Sequence, residues 1–194
     1  MIYIKNADEI ERIRESNQVV AESLAFIKEF IQPGISTGEI NKEIENFILK
    51  KNAKPAFKGL YGFPASSCIS IQDEVVHGIP SFKRKLKEGE IVGIDIGVEK
   101  DGYFGDAAYT YRVGNIDKKS EKLLTVTEES LYLGINELVD DNKIGDIGSM
   151  MNGIHQMLEK PPNSDQLRKD TLAHFDITII AQRYYDILLG IQNA

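Results

Sequence analysis

The stretch 91–111, IVGIDIGVEKDGYFGDAAYTY, limits what this chain can fold into more than any other part of it. In an extended strand successive side chains point to opposite faces, so Val92, Ile94, Ile96 and Val98 share one face. Ile91, Gly93, Asp95 and Gly97 share the other. Lys100-Asp101-Gly102 then supplies turn chemistry, which predicts a hairpin of strands 90–99 and 103–113. Such a hairpin is stable only if its apolar face is covered, and the chain offers amphipathic helices on both sides. Asn6 with Glu9, and Ser36 with Glu39, are capping pairs that satisfy free amides in a first helical turn. Ile10, Ile13, Val20, Leu24 and Ile27 follow the first at helical spacing, up to Pro33-Gly34. Ile40, Ile44, Phe47 and Ile48 follow the second as far as about Lys51, which predicts two antiparallel helical neighbours. A Gly- and aromatic-rich loop then feeds a strand at Ser67–Ile71, and the basic run 83–90 reads as a solvated connection. Helices are predicted over 120–139 and 144–159, Pro161-Pro162 ends that pattern, and one more amphipathic stretch covers 177–189. The fold class is α+β, an antiparallel sheet with amphipathic helices packed on one face.

Composition narrows the function. Of 194 residues, 42% are hydrophobic and 27% charged, enough for one domain to bury about 70% of its unfolded surface. A net charge of −7 argues against phosphate-backbone binding, so no nucleic-acid partner is expected. No apolar run approaches the roughly 20 residues of a membrane helix, and the N-terminus lacks a signal-peptide core. The lone Cys68 suits a reducing compartment, and the expected location is cytoplasmic.

The hairpin also carries the chemistry. With the turn at Asp101-Gly102, position 95 lies opposite 108 and 97 opposite 106; with the turn at Lys100-Asp101, Asp95 lies directly opposite Asp106. In either register both carboxylates share a face, where roughly 5 Å of separation costs about 3 kcal/mol of repulsion at an effective dielectric near 20. Such a pair shares a proton, holds a cation or is solvated. Nearby imidazole suits Mn, Fe, Co or Zn, and the metal-site and solvated-pair readings both stand at this stage. His77, between two valines and Gly-Ile-Pro, reads either as a satisfied structural residue or as a group that hydrogen-bonds a substrate. Cys68 reads as a small buried hydrophobe, and His155 and His174 as surface or packing residues. No dinucleotide-binding glycine fingerprint is present.

The runs GFPASSCISIQDEVVHGIPS (62–81) and 91–111, continuing to IGDIGS (144–149), resemble the type I methionine aminopeptidases. The resemblance implies a half or truncated pita-bread fold and a site for two divalent ions (Co, Mn, Fe or Zn). It also implies removal of the N-terminal methionine from nascent chains, whose N-terminal peptides would be the partners. Carried over, Asp95 and Asp106 are metal ligands and His77 contacts the scissile region of the substrate. Phe57, Leu60, Phe63 and Cys68 fall on the pocket for the methionine side chain, where an unbranched thioether fits an apolar slot. The family completes its metal site with a histidine of a Gly-His-Gly-Ile-Gly segment and two later glutamates, and the residues after Glu159 contain no such segment. Leu60 stands where the family has tyrosine, while Tyr61 and Phe104 each stand where it has histidine. The expected organisation is therefore an aminopeptidase-like part over 1–160 and a divergent helical tail over 161–194. The isolated chain is expected to be catalytically incomplete, with an exposed apolar sheet face that calls for an oligomer or partner chain. A non-catalytic peptide- or protein-binding paralogue is the alternative.

Overall fold

The computed structural model describes residues 5–136. The chain divides into two compact units, Met1–Leu124 and Thr125–Ala194, and the fold below is that of the first. The sequence expectations for 144–159, 161–194, 177–189, His155 and His174 lie outside the described residues.

Helix α1 (Ala7–Ile27) starts at Asn6 and helix α2 (Thr37–Lys50) at Ser36, each through a complete capping box with Glu9 and Glu39. A single 3₁₀ turn, Lys28–Phe30, tightens the end of α1 before Pro33-Gly34. Strands β1 (Lys54–Pro55), β2 (Ser67–Ile71), β3 (Ile91–Lys100) and β4 (Tyr103–Arg112) form one antiparallel sheet, and helix α3 (Lys118–Asn136) follows. Strand β4 pairs with β3 along its whole length, while β2 pairs with 92–96 and β1 with 98–99 on the opposite edge of β3.

Val92, Ile94, Ile96 and Val98 are fully buried. They pack with Val19, Val20 and Ile27 of α1 and Ile40, Ile44 and Ile48 of α2 in a single core cluster. The alternation read from the sequence is thus the alternation of the sheet, with helices on one face. Gly105 brings α1 onto the sheet: a Cβ there would lie 2.6 Å from the backbone N of Asn17 and the carbonyl carbon of Ser16. The Ser16 hydroxyl donates to the Tyr103 carbonyl at 2.9 Å and the Tyr111 hydroxyl to the Leu24 carbonyl at 2.7 Å, so α1 is hydrogen-bonded to β4 along its length. The sheet's other face stays open at β4, where Phe104 is 62% exposed and Asp106 and Ala108 are exposed.

The connection over 83–90 is only partly solvated. Leu86 is buried, and its amide and carbonyl bond Ile35 and Gly34, because an apolar side chain among four basic residues is drawn inward. This docks the segment against the start of α2, where Thr37 and Gly38 amides donate to the Arg84 and Ser81 carbonyls. Ser36→Ala removes the acceptor for the Glu39 amide at this joint and is expected to lower stability by about 1 kcal/mol in urea denaturation.

Candidate functional site

The site face is built by the register of the β3–β4 hairpin. Asp101 and Gly102 both have positive φ (52° and 81°), the signature of a two-residue type I′ turn. That turn selects one of the two registers open to the sequence: Gly97 opposes Asp106 and Asp95 opposes Ala108. The two carboxylates are diagonal neighbours on the face away from the helices, and their side chains hydrogen-bond each other. Burial first, then the charge and the hydrogen bond of Asp106, push the Asp95 carboxyl up to about 6, while His77 acts in the opposite sense. Asp95 therefore keeps its proton below about pH 6 and loses it above, where the two carboxylates repel each other.

Strand β2 places Cys68 directly opposite Asp95 on the same face. The thiol is buried, and burial with the nearby Asp95 and Asp106 charges pushes it up to about 11. A nucleophilic thiolate is therefore disfavoured, and Cys68 acts as a small apolar wall.

His77 reaches the site through a loop that leaves β2 at Ile71 and returns to it. The Ile69 amide donates to the Gly78 carbonyl at 2.8 Å, and the Gly78 amide to the Ser70 hydroxyl at 3.2 Å. A Cβ on Gly78 would overlap the Ile69 carbonyl, so only glycine permits this return. Glu74 fastens the loop by accepting from the Ile71 amide and, through both oxygens, from Arg84. His77 itself sits in the left-handed region at φ 59°, a conformation that costs about 1 kcal/mol or more outside glycine. Val75 and Val76, beside it, are 89% and 62% exposed.

The turn at 57–63 supplies the apolar side. Leu60 donates to the Phe57 carbonyl, Gly59 to that of Phe63, and Phe63 to that of Leu60, which closes a compact loop. Phe57, Leu60, Phe63, Cys68, His77, Asp95 and Asp106 all line one cleft of about 490 Å³. The structure thus brings every candidate residue named from the sequence to one place. It adds Tyr61, Gly62, Pro64 and Ile79. Ile79 had a sequence signal, since it follows His77 by two residues. Tyr61, fully exposed at φ 49°, had one as well, since it stands where the family has histidine. The two glycines that flank Asp95 differ in what stands over them. Above Gly93 the nearest atoms are at 3.7 Å or more, but above Gly97 lies the ring of Phe57.

Asp95 and Asp106 place two carboxylates at one side of the cleft. Their mutual repulsion is what a cation would relieve. Yet among the described residues no group of three or more His, Cys, Asp or Glu is arranged to hold a metal. The described residues therefore do not by themselves fit a dinuclear centre. Among them, too, no helix is long and apolar enough to cross a membrane.

Comparison with known proteins supplies the family and the fold. The pattern of metallopeptidase family M24 matches residues 11–175. The chain is 44% identical over 174 residues to a methionine aminopeptidase of Clostridium perfringens, covering 90% of this chain and 68% of that protein. It is 47% identical over 147 residues to methionine aminopeptidase 1 of Bacillus subtilis, covering 76% and 59%. The fold matches the crystal structure of methionine aminopeptidase from Thermotoga maritima with a TM-score of 0.69 at 37% identity, over 72% of this chain and 55% of that one. The chain thus spans between about half and two thirds of the length of these relatives.

Proposed function

Because the chain belongs to metallopeptidase family M24 and is methionine aminopeptidase-like within it, we propose that its cleft binds peptides through an N-terminal methionine side chain. Removal of that methionine by metal-dependent hydrolysis, the reaction of the family, then needs ligands beyond the described residues. The observation that carries the reading is the cleft itself. An apolar wall of Phe57, Leu60, Phe63 and Cys68 meets His77 and the carboxylate pair within one volume of about 490 Å³. An unbranched thioether side chain suits the apolar part. The protonated amino terminus of a peptide is attracted to Asp95 and Asp106 and offsets their repulsion. His77, exposed at the loop return, is positioned to hydrogen-bond a backbone carbonyl of the bound peptide.

Asp95 and Asp106 are the residues we assign to metal, Co, Mn, Fe or Zn, with His77 as the catalytic contact. We infer a cytoplasmic protein, an organisation into 1–160 and a 161–194 tail, and a partner chain or second copy over the open sheet face. A non-catalytic peptide- or protein-binding paralogue is the second reading. It is favoured by the lack of a third metal-holding side chain among the described residues.

Titration of the 194-residue chain with a Met-Gly-Met tripeptide, followed by NMR, tests the proposal. Saturable shifts that weaken at least tenfold in Phe63→Ala are expected, and the absence of saturable binding sinks the reading. Calorimetry with Mn or Co separates the two alternatives. A submicromolar dinuclear site with turnover lost in Asp106→Asn establishes an active enzyme, and weak binding without turnover establishes the paralogue.

A further inference from the structure

From the packing of Phe57 on β3 we infer that Gly97 sets the side-chain selectivity of the cleft by letting that ring rest against the strand. The inference rests on the peptide-binding reading above and adds the residue that determines which first side chain fits. The ring of Phe57 occupies the place where a Cβ of residue 97 would be. An added Cβ would overlap Phe57 Cε1 and lie 2.7 Å from Cδ1 and 2.9 Å from Cζ. Real Cβ atoms do not come this close to carbon, so any other residue at 97 must push the ring away from the sheet. The backbone cannot follow to relieve the overlap. The Ala56 amide donates to the Gly97 carbonyl at 2.8 Å, continuing the β1–β3 pairing of Pro55 with Val98 up to the residue before Phe57. The residue before Phe57 is thus tethered to β3, and the ring relieves the overlap by swinging away from the strand.

Outward is into the cleft. Gly97 is buried and is the register partner of Asp106, so the face of β3 at this position lies beside the carboxylate pair. Phe57 lines the same cleft as Cys68, Asp95 and Asp106. With glycine at 97 the ring is recessed against the strand, and the apolar slot keeps room for a long unbranched side chain. With alanine the ring advances by about the width of a methyl group and shortens the slot. A residue with a short side chain loses little, and one as long as methionine loses most of its contact. Gly97 is accordingly a positioning residue that acts through Phe57.

The test compares Met-Ala-Ser with Ala-Ala-Ser binding to the wild type, Gly97→Ala, Phe57→Leu and the double variant, by NMR titration of the full chain. In Gly97→Ala the affinity for Met-Ala-Ser is expected to fall about tenfold and that for Ala-Ala-Ser less than about twofold, so the selectivity ratio collapses. In the Phe57→Leu background, where no ring has to be displaced, adding Gly97→Ala is expected to change the ratio by less than about twofold. A merely structural role would weaken both peptides equally, and that result overturns the inference. So does a Gly97→Ala variant with unchanged selectivity. Wild-type protein that binds neither peptide removes the peptide-binding reading and this inference with it, whereas binding with unaltered variant selectivity removes only the inference.

Discussion

Gly105→Val is expected to destabilise the protein by about 3 kcal/mol, more than a surface substitution by several-fold. Its physical basis is backbone meeting backbone. The Cβ of any residue at 105 would sit 2.6 Å from the Asn17 nitrogen and the Ser16 carbonyl carbon and 2.8 Å from the Asn17 Cα, and none of these can rotate away. Helix α1 would have to lift from β4. In doing so it would give up the Ser16 hydroxyl bond to Tyr103 and the Tyr111 hydroxyl bond to Leu24. It would also open the core where Val19, Val20 and Ile27 cover the sheet. Thermal denaturation should show a midpoint lower by about 6–12 °C for a chain of this size. A midpoint within a degree of the wild type would mean that α1 does not seat on Gly105. Gly102→Val, outside any such contact but at positive φ, is the control that separates backbone conformation from packing.

Asp95→Asn is expected to act in the opposite direction at neutral pH and raise stability by about 1–2 kcal/mol. Its carboxyl is held up to about 6 by burial and by Asp106, against about 3.9 in an unfolded chain. The folded state therefore binds this proton more tightly than the unfolded state does. The resulting stabilisation is complete below about pH 4 and is lost as pH rises through about 6, so at pH 7 the ionised pair strains the fold. Moving a carboxyl from about 3.9 to about 6 corresponds to about 3 kcal/mol at most, and solvent reaching the cleft reduces this to the lower figure. In chelator-treated protein the melting midpoint of the variant should exceed that of the wild type by about 3–6 °C at pH 7 and converge with it near pH 4. A variant equal to or below the wild type at pH 7 would mean that the two carboxylates are not in contact. A site that weakens its own fold in this way is the usual trade of stability for binding.

Much of this architecture can be read directly from residue order. The capping boxes at Asn6 and Ser36, the helical spacing from Ile10 to Ile27, the strand at Ser67–Ile71 and the alternation of Val92, Ile94, Ile96 and Val98 are local patterns. Each is dictated within one or two turns or one strand, and none needs a distant partner to be recognised. Leu86 is the counterexample. Its basic neighbours signal solvent, and it is buried because Gly34 and Ile35, far earlier in the chain, donate and accept its backbone bonds.

The site divides the same way. That Asp95 and Asp106 share a face follows from the two-residue period of a strand and holds in either register. Which register is adopted depends on the left-handed conformation of Asp101 and Gly102, and that makes the carboxylates diagonal neighbours instead of direct ones. The meeting of Phe57, His77 and Cys68 around them is a tertiary fact. Phe57 arrives over Gly97, and His77 arrives through a loop that returns to β2 at Gly78. Periodicity assigns a residue to a face, because it is a property of one strand or helix. Distances across a cleft depend on how separate segments stack, and only the assembled chain carries that information.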